Sequence, residues 1–372
     1  MKYKLGDICN GIADGSHNPP TGGNRSDFVM LSSKNVFDDQ ITYDDPRYLT
    51  EEQFLYEDKR TKIKTGDVLI TIVGTVGRSA VVGEDEKNIT LQRSVAVLHP
   101  NNEICNSRYL MYSLRSMRSL LENESHGIAQ KGIYLKQLSN MEINLPAIKE
   151  QECVIKCLDA IWNIIKQRKR VLQKYDELIK ARFVEMYGDP VSNPFGLPVK
   201  KLSELGTLDR GRSKHRPRNA SELLNGPYPL IQTGEVAASD LYITEYHNTY
   251  SELGLKQSKM WKAGTLCITI AANIAQTAIM SFDACFPDSV VGFLPSKEVS
   301  ALYMHYWFSF FQKILEEQAP QVAQKNINLK ILSDLAVAVP EHEQLIAFET
   351  FVSQIDKSKV MKRLRLSTNS FC

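Results

Sequence analysis

Residues 210–218 read Arg-Gly-Arg-Ser-Lys-His-Arg-Pro-Arg, five formal positive charges in nine positions with no acid among them. Gly211 and Pro217 make this a loop. Arginines on a loop can set guanidinium groups against phosphates and against guanine edges in the major groove. A solvated basic loop is the plainer alternative, but the charge density favours DNA or RNA contact. Arg210, Arg212, Lys214, Arg216 and Arg218 are expected to face nucleic acid, with His215 beside them. Gln232, Thr233 and Gln276 fall in turns of the same half and can touch bases. In the other half the candidates are Ser16, His17, Lys34, Arg78 and Arg93. Gln130-Lys131 and Gln324-Lys325 recur in register. There Lys can take a phosphate and Gln an adenine edge, or both can be structural at a repeated turn.

Catalytic chemistry is harder to place. Asn18-Pro19-Pro20-Thr21 has the start of an amino-methyltransferase motif, but Thr stands where the stacking aromatic should be, and no glycine-rich cofactor loop precedes it. Gly74-Thr75-Val76-Gly77 lacks the Lys-Ser/Thr of a phosphate loop and reads as a tight turn between strands. Pro287-Asp288 has no Glu-x-Lys at a useful distance for a nuclease. The histidines are scattered, and Cys153 and Cys157, four apart in a helical pattern, have no partner pair for zinc. The expectation is a chain with no catalytic site and no metal.

Composition agrees with a soluble protein: 24% charged and 43% hydrophobic. With 45 basic and 43 acidic residues the formal net charge is +2, so a nucleic-acid role rests on local clusters. Seven irregularly spaced cysteines do not make a disulfide framework and point to the cytoplasm. The N-terminus has no apolar core for a signal peptide. Ala263 to Phe282 is uncharged but too polar for a membrane span, and reads as strand, turn and strand.

These candidates sit on a duplicated frame. Residues 129–139 (AQKGIYLKQLS) match 323–333 (AQKNINLKILS) at eight of eleven positions, 194 residues apart. The match runs on to Pro146 and Pro340, each followed by a Glu-Gln pair, and back to Tyr109, Tyr112 and Glu122 against Tyr303, Tyr306 and Glu316. KTGDVLITI (64–72) resembles KAGTLCITI (262–270), and Lys4-Leu5 resembles Lys201-Leu202. Each half therefore has one plan. Short β patterns come first (Asp67 to Val73, Ala80 to Val82 and Ser94 to Leu98 in the first half). Helices follow near 107–121 and 300–317, then the AQK segment, a strand ending at the proline, and a last helix.

The helix after Pro146 is expected from Glu150 to Tyr187. Its seam of alternating fours and threes is Val154, Leu158, Ile161, Ile165, Arg168, Leu172, Tyr175, Ile179, Arg182 and Met186. Gly188-Asp189-Pro190 ends it. Lys166, Arg168, Lys169, Arg170, Lys174, Lys180 and Arg182 form a basic cluster along it, suited to a phosphate backbone, an acidic partner or plain solvation. The second half ends in a similar helix from Glu343 to about Leu366, with Phe348, Val352 and Ile355 on its seam and a shorter course. Two such helices can pair antiparallel.

With the paired AQK-x-I-x-L-K-x-L-S segments, the prolines with their Glu-Gln pairs and the long helix ending FVEMYGDP (183–190), the whole chain resembles the specificity subunit of type I restriction–modification systems. Asp14-Gly15-Ser16-His17-Asn18-Pro19 and RGRSKHRPRN (210–219) look like the openings of its target recognition domains. The resemblance implies a mixed α/β (α+β) fold: two duplicated target recognition domains separated by a long antiparallel two-helix coiled coil. The domains would be 1–148 and 189–340, the spacer helices 149–188 and a shortened 341–372. It further implies that each domain reads one half of a bipartite double-stranded DNA target. Two methyltransferase subunits would dock on the helices, through Ile161, Ile165, Arg168, Leu172, Tyr175 and Ile179, and restriction subunits can join. Those partners, not this chain, would methylate adenine with S-adenosylmethionine. A free-standing nucleic-acid-binding regulator is the alternative reading.

Overall fold

The computed structural model describes residues 1–125, 132–271, 274–318 and 327–367. It divides into two compact units, Met1–Lys166 and Gln167–Cys372. In the first, β1 (Lys2–Lys4), α1 (Leu5–Ile8) and β2 (Cys9–Asp14) lead to β3 (Phe28–Leu31), β4 (Val36–Phe37), β5 (Gln40–Ile41) and β6 (Arg47–Leu49). Next come α2 (Glu51–Thr61), β7 (Val68–Thr71), β8 (Ser79–Val81), β9 (Ile89–Leu91) and β10 (Val95–Pro100). Helices α3 (Ser107–Ser116), α4 (Arg118–Glu124) and α5 (Leu135–Asn140), strand β11 (Glu142–Asn144) and the 40-residue α6 (Ile148–Tyr187) follow.

The second unit repeats the order with additions. It runs β12 (Val199–Lys201), β13 (Gly206–Arg210), β14 (Leu224–Leu230), α7 (Thr233–Ala238), β15 (Tyr242–Ile243), β16 (Asn248–Tyr250) and α8 (Glu252–Lys256). It continues with β17 (Met260–Trp261), β18 (Leu266–Thr269), β19 (Thr277–Met280), β20 (Ala284–Cys285) and β21 (Val290–Pro295). Helices α9 (Ala301–Gln318) and α10 (Leu329–Ser333), strand β22 (Ala336–Ala338) and α11 (His342–Ser367) close the chain.

The two topologies share a common frame, to which the second unit adds β15 in its central sheet and β17 in its small sheet. The central sheet is ordered β2-β10-β7-β8 in the first unit and β13-β21-β18-β19-β15 in the second. The N-terminal strand closes each unit against its last: β1 pairs antiparallel with β11, and β12 with β22. A second small sheet sets β3 antiparallel to β6 and parallel to β9, and its counterpart sets β14 antiparallel to β16 and parallel to β20.

Both faces of each central sheet are covered, which is why its strands are almost continuously apolar rather than alternating. Val68, Ile70, Ala96 and Leu98 pack toward Leu110, Met111 and Leu114 of α3. The intervening Leu69, Val95 and Val97 pack toward Val29, Leu31 and Leu91 of the small sheet. In the second unit Leu266, Ile268, Val291 and Phe293 share a core with Tyr303, Met304 and Trp307 of α9, while Cys267, Ala278 and Val290 face the opposite side.

Helix α6 starts two residues before the expected Glu150 and ends at Tyr187 as expected. Its apolar pattern carries two overlapping stripes, and the inward one differs from the expected seam near its start. Val154 and Ile161 are exposed, the latter by 54%, while Ile155 and Trp162 turn inward. The reason is a polar network on that face. Asp159 accepts from Arg108 and from the Tyr112 hydroxyl (2.6 Å), and Arg115 lies 4.5 Å over Trp162. In the second unit Ile179, Phe183 and Tyr187 are buried against Tyr303 and Phe348. Tyr187 donates to the Gln344 carbonyl (3.0 Å) and Arg182 lies over Phe351, so this stretch of α6 runs antiparallel to α11.

Each AQK segment ends in a short helix, α5 or α10, the latter capped by Asn328 accepting from Ile331 N–H (2.9 Å), and is followed by the strand before the proline as expected. One detail departs from the expected repeat. The Glu-Gln pairs are one residue out of register. Glu150 accepts from Ala147 N–H (3.2 Å) as Gln344 accepts from Glu341 N–H (3.2 Å), so Gln151 corresponds to the buried Leu345.

Candidate nucleic-acid interface

The antiparallel order of each central sheet brings the C-terminal ends of two strands and the N-terminal ends of two others to one edge. Asp14, Val95, Thr71 and Ser79 lie there in the first unit, and Arg210, Val290, Thr269 and Thr277 in the second. Loops after these residues are laced by main-chain hydrogen bonds that repeat between units. Gly15 N–H donates to Val95 O (3.2 Å) and Ser16 N–H to Leu91 O (2.8 Å). Likewise Gly211 N–H donates to Val290 O (2.9 Å) and Arg212 N–H to Phe286 O (3.2 Å). Ile72 N–H reaches Ser94 O (2.9 Å) and Ile270 N–H reaches Ser289 O (3.1 Å). Ile133 then donates to Ile72 O (2.9 Å) and Ile327 to Ile270 O (3.0 Å). The glycines are forced by close approach: a Cβ on Gly15 would sit 2.0 Å from Leu91 O, and one on Gly211 2.3 Å from Pro287 O.

The expected contact residues that the structure describes lie on the loops at or beside this edge. Ser16 is buried and takes part in the lacing through its backbone, accepting from Arg93 N–H (2.9 Å). His17 is exposed, its Nε2 2.7 Å from Asp14 Oδ2. Arg60, delivered by α2, grips the same carboxylate and donates to the Asp14 carbonyl (2.9 Å). Helix α2 is itself fixed by a capping box between Thr50 and Gln53. Burial alone would raise the Asp14 pKa, but hydrogen bonds from Arg60 and His17 outweigh it and hold the carboxyl below its ordinary value. Lys34 pairs with Asp45 (2.6 Å) on the loop after β3. Gln232 and Thr233 lie on the corresponding loop after β14, where Gln232 N–H donates to Glu235 (3.1 Å) at the start of α7. Arg78 and Gln276 close the two hairpins.

The basic loop is less bare than its sequence suggests, because acids arrive from elsewhere in the fold. Arg218 and Arg216 pair with Asp288 (2.5 and 3.6 Å), and Arg210 Nε donates to the Asp288 carbonyl. Arg212 lies 3.9 Å from Asp209, and His215 3.9 Å from Glu222. Lys214 is exposed, anchored through its N–H to Gln257 Oε1 (2.6 Å). Sequence reasoning weighed Asp288 only as a nuclease carboxylate and missed this pairing, since it depends on partners some 70 residues away. Arg210 itself ends β13 rather than lying in the loop. Gln130, Lys131, Gln324 and Lys325 lie outside the described residues.

Of the expected docking positions on α6, Ile161 is exposed and Ile165, Arg168, Leu172 and Tyr175 are half-buried. Ile179 is fully buried in the core of its own unit, where Phe183 and Phe348 also lie.

Among the described residues no group of three or more His, Cys, Asp or Glu side chains could hold a metal ion. Burial pushes the Cys9 thiol up to about 12 and the Cys105 thiol up to about 11, so both stay protonated at neutral pH. No helix among the described residues is long and apolar enough to cross a membrane.

The family model for the type I restriction modification DNA specificity domain matches this chain twice, at residues 1–174 and 196–365. The chain belongs to that family. The EcoBI type I restriction enzyme specificity subunit of Escherichia coli is 30% identical over 180 residues, covering 47% of this chain and 36% of that protein. The MjaVIII specificity subunit of Methanocaldococcus jannaschii is 21% identical over 333 residues, covering 82% of this chain and 76% of the other. Among solved structures, the type I restriction–modification S subunit from M. genitalium aligns over 99% of this chain and 92% of its own, with a TM-score of 0.55 and 12% identity. The family's two copies coincide with the two laced frames, and they favour a specificity subunit over the free-standing regulator.

Proposed function

We propose that this chain is the DNA-reading subunit of a type I restriction–modification complex, each unit recognising one half of a bipartite duplex target at the edge of its central sheet. One observation carries the reading: the two edges share a hydrogen-bonded backbone but present different side chains. His17 stands exposed on the first edge where the second has the buried Ser213, Arg212 stands exposed on the second where the first has the buried Ser16, and Arg78 takes the place of Gln276. One scaffold with two polar faces is what two different half-sites require.

Catalysis belongs to partners in this reading. Two methyltransferase subunits using S-adenosylmethionine modify adenine, restriction subunits can join them, and the complex works in the cytoplasm. The exposed Ile161, with Val154 and Ile164 beside it, supports α6 as a docking surface.

Single-molecule methylome sequencing of the host with and without the gene tests the proposal. Loss of adenine methylation at one split motif is the expected result. A methylome that is unchanged overturns it.

A further inference from the structure

Hairpins β7–β8 and β18–β19 turn through corresponding residues, Thr71 to Arg78 and Thr269 to Gln276. Three hydrogen bonds close both. Thr71 N–H donates to Arg78 O (2.9 Å), Arg78 N–H to Thr71 Oγ1 (3.0 Å) and Gly77 N–H to Thr71 O (2.9 Å). Thr269 N–H donates to Gln276 O (2.9 Å), Gln276 N–H to Thr269 Oγ1 (3.1 Å) and Ala275 N–H to Thr269 O (2.8 Å). Gly77 and Ala275, one step earlier, both have positive φ (88° and 58°). Arg78 and Gln276 thus leave the same turn from the same backbone.

Both side chains are half-buried, and among the described residues neither is engaged by a hydrogen bond or a carboxylate. Arg78 instead lies over the ring of Phe37, 4.9 Å from its centroid, which orients the guanidinium plane and leaves its N–H groups available. His17, Lys34, Arg216 and Arg218, by contrast, are held by carboxylates. A phosphate clamp would call for a cation in both copies, but one twin is a neutral amide. Arginine forks onto guanine O6 and N7, and glutamine onto adenine N6 and N7.

We infer that Arg78 and Gln276 are the base-reading residues of the two hairpins, Arg78 for a guanine in one half-site and Gln276 for an adenine in the other. The inference rests on the recognition role proposed above. The reciprocal variants R78Q and Q276R test it, because each places at the turn a side chain that the twin unit already holds there.

Each variant is combined with its methyltransferase subunits and the modified motif is sequenced. Arg78→Gln is expected to exchange one G·C pair for A·T in one half-site, and Gln276→Arg to make the reverse exchange in the other. The preference at that pair should shift by about tenfold to a hundredfold. Unchanged motifs, or a uniform loss at every sequence, overturn the inference. Where a variant modifies nothing, selection from randomised duplexes by the same complex decides: a wild-type base at that position overturns the inference and the exchanged base supports it. A wild-type complex with no split motif overturns the recognition role itself.

Discussion

At the scale of single residues, carboxylates arrange the recognition edge. Asp14 is clasped by Arg60 and His17, and its pKa is depressed in the folded chain. A carboxyl with a depressed folded pKa contributes stability that is fully present above its unfolded value of about 3.9 and is lost as pH falls through the lower folded value. The stability gap between wild type and Asp14→Asn should therefore be constant near neutral pH and close as the solution is acidified below about 4, read by urea unfolding at a series of pH values. Asp288 does a different job, neutralising Arg216 and Arg218 while its carbonyl holds Arg210. Asp288→Asn should free two guanidinium groups for phosphates, tightening binding to unrelated duplexes and steepening the salt dependence by about one to two counterions. Fluorescence anisotropy over a salt series checks this, and an unchanged slope would show that the arginines stay off the backbone. The basic loop was legible as a candidate because charge density is a local property. Its neutralisation was not, because Asp288 comes from a strand connection far along the chain.

Among the elements, the long helix is anchored to its first unit near its start by a fully buried side chain, ahead of the Asp159 network. Gln151 is fully buried, accepting from Asn106 N–H (2.9 Å) and donating to the carbonyls of Ile104 and Pro146 (both 2.8 Å). Leu345, its counterpart, shows that an apolar residue fits this place in the twin frame. Gln151→Leu nevertheless removes the partners of three main-chain groups in unit 1 and should cost about 3 kcal/mol, visible as a lower midpoint of thermal unfolding. A loss as small as that of an exposed substitution would mean water replaces the amide. The sequence made the helix itself plain, since uninterrupted apolar spacing over many turns is a strong signal. It misplaced part of the buried stripe because Val154 and Ile155, and Ile161 and Trp162, are adjacent apolar residues. Spacing cannot choose between such neighbours, and here the Asp159 network does. The Glu-Gln register failed for a related reason: two similar dipeptides sit one residue apart in structural terms, and only their hydrogen bonds separate them.

For the whole molecule, duplication was the most legible feature, carried by ordered matches along both halves. Strand order was not, because pairings such as β2 with β10 join residues that no local pattern connects. The consequence of duplication is modularity. The cores around β7 and β18 share no residues, and each recognition edge is laced entirely from its own unit. Substitutions at one edge should therefore alter one half-site and leave the other's bases unchanged. Joining two readers in one chain makes the second binding step intramolecular. A duplex with one half-site scrambled should bind more weakly than the intact target by a factor of about 10² to 10⁴. Scrambling the half-site whose reader has already been disabled should cost little more. Titrating intact and half-scrambled duplexes against wild type and an edge variant of each unit makes the comparison. If a variant in one unit changed base preference in both half-sites, the two edges would be coupled, and the picture of two independent readers on a repeated frame would fail.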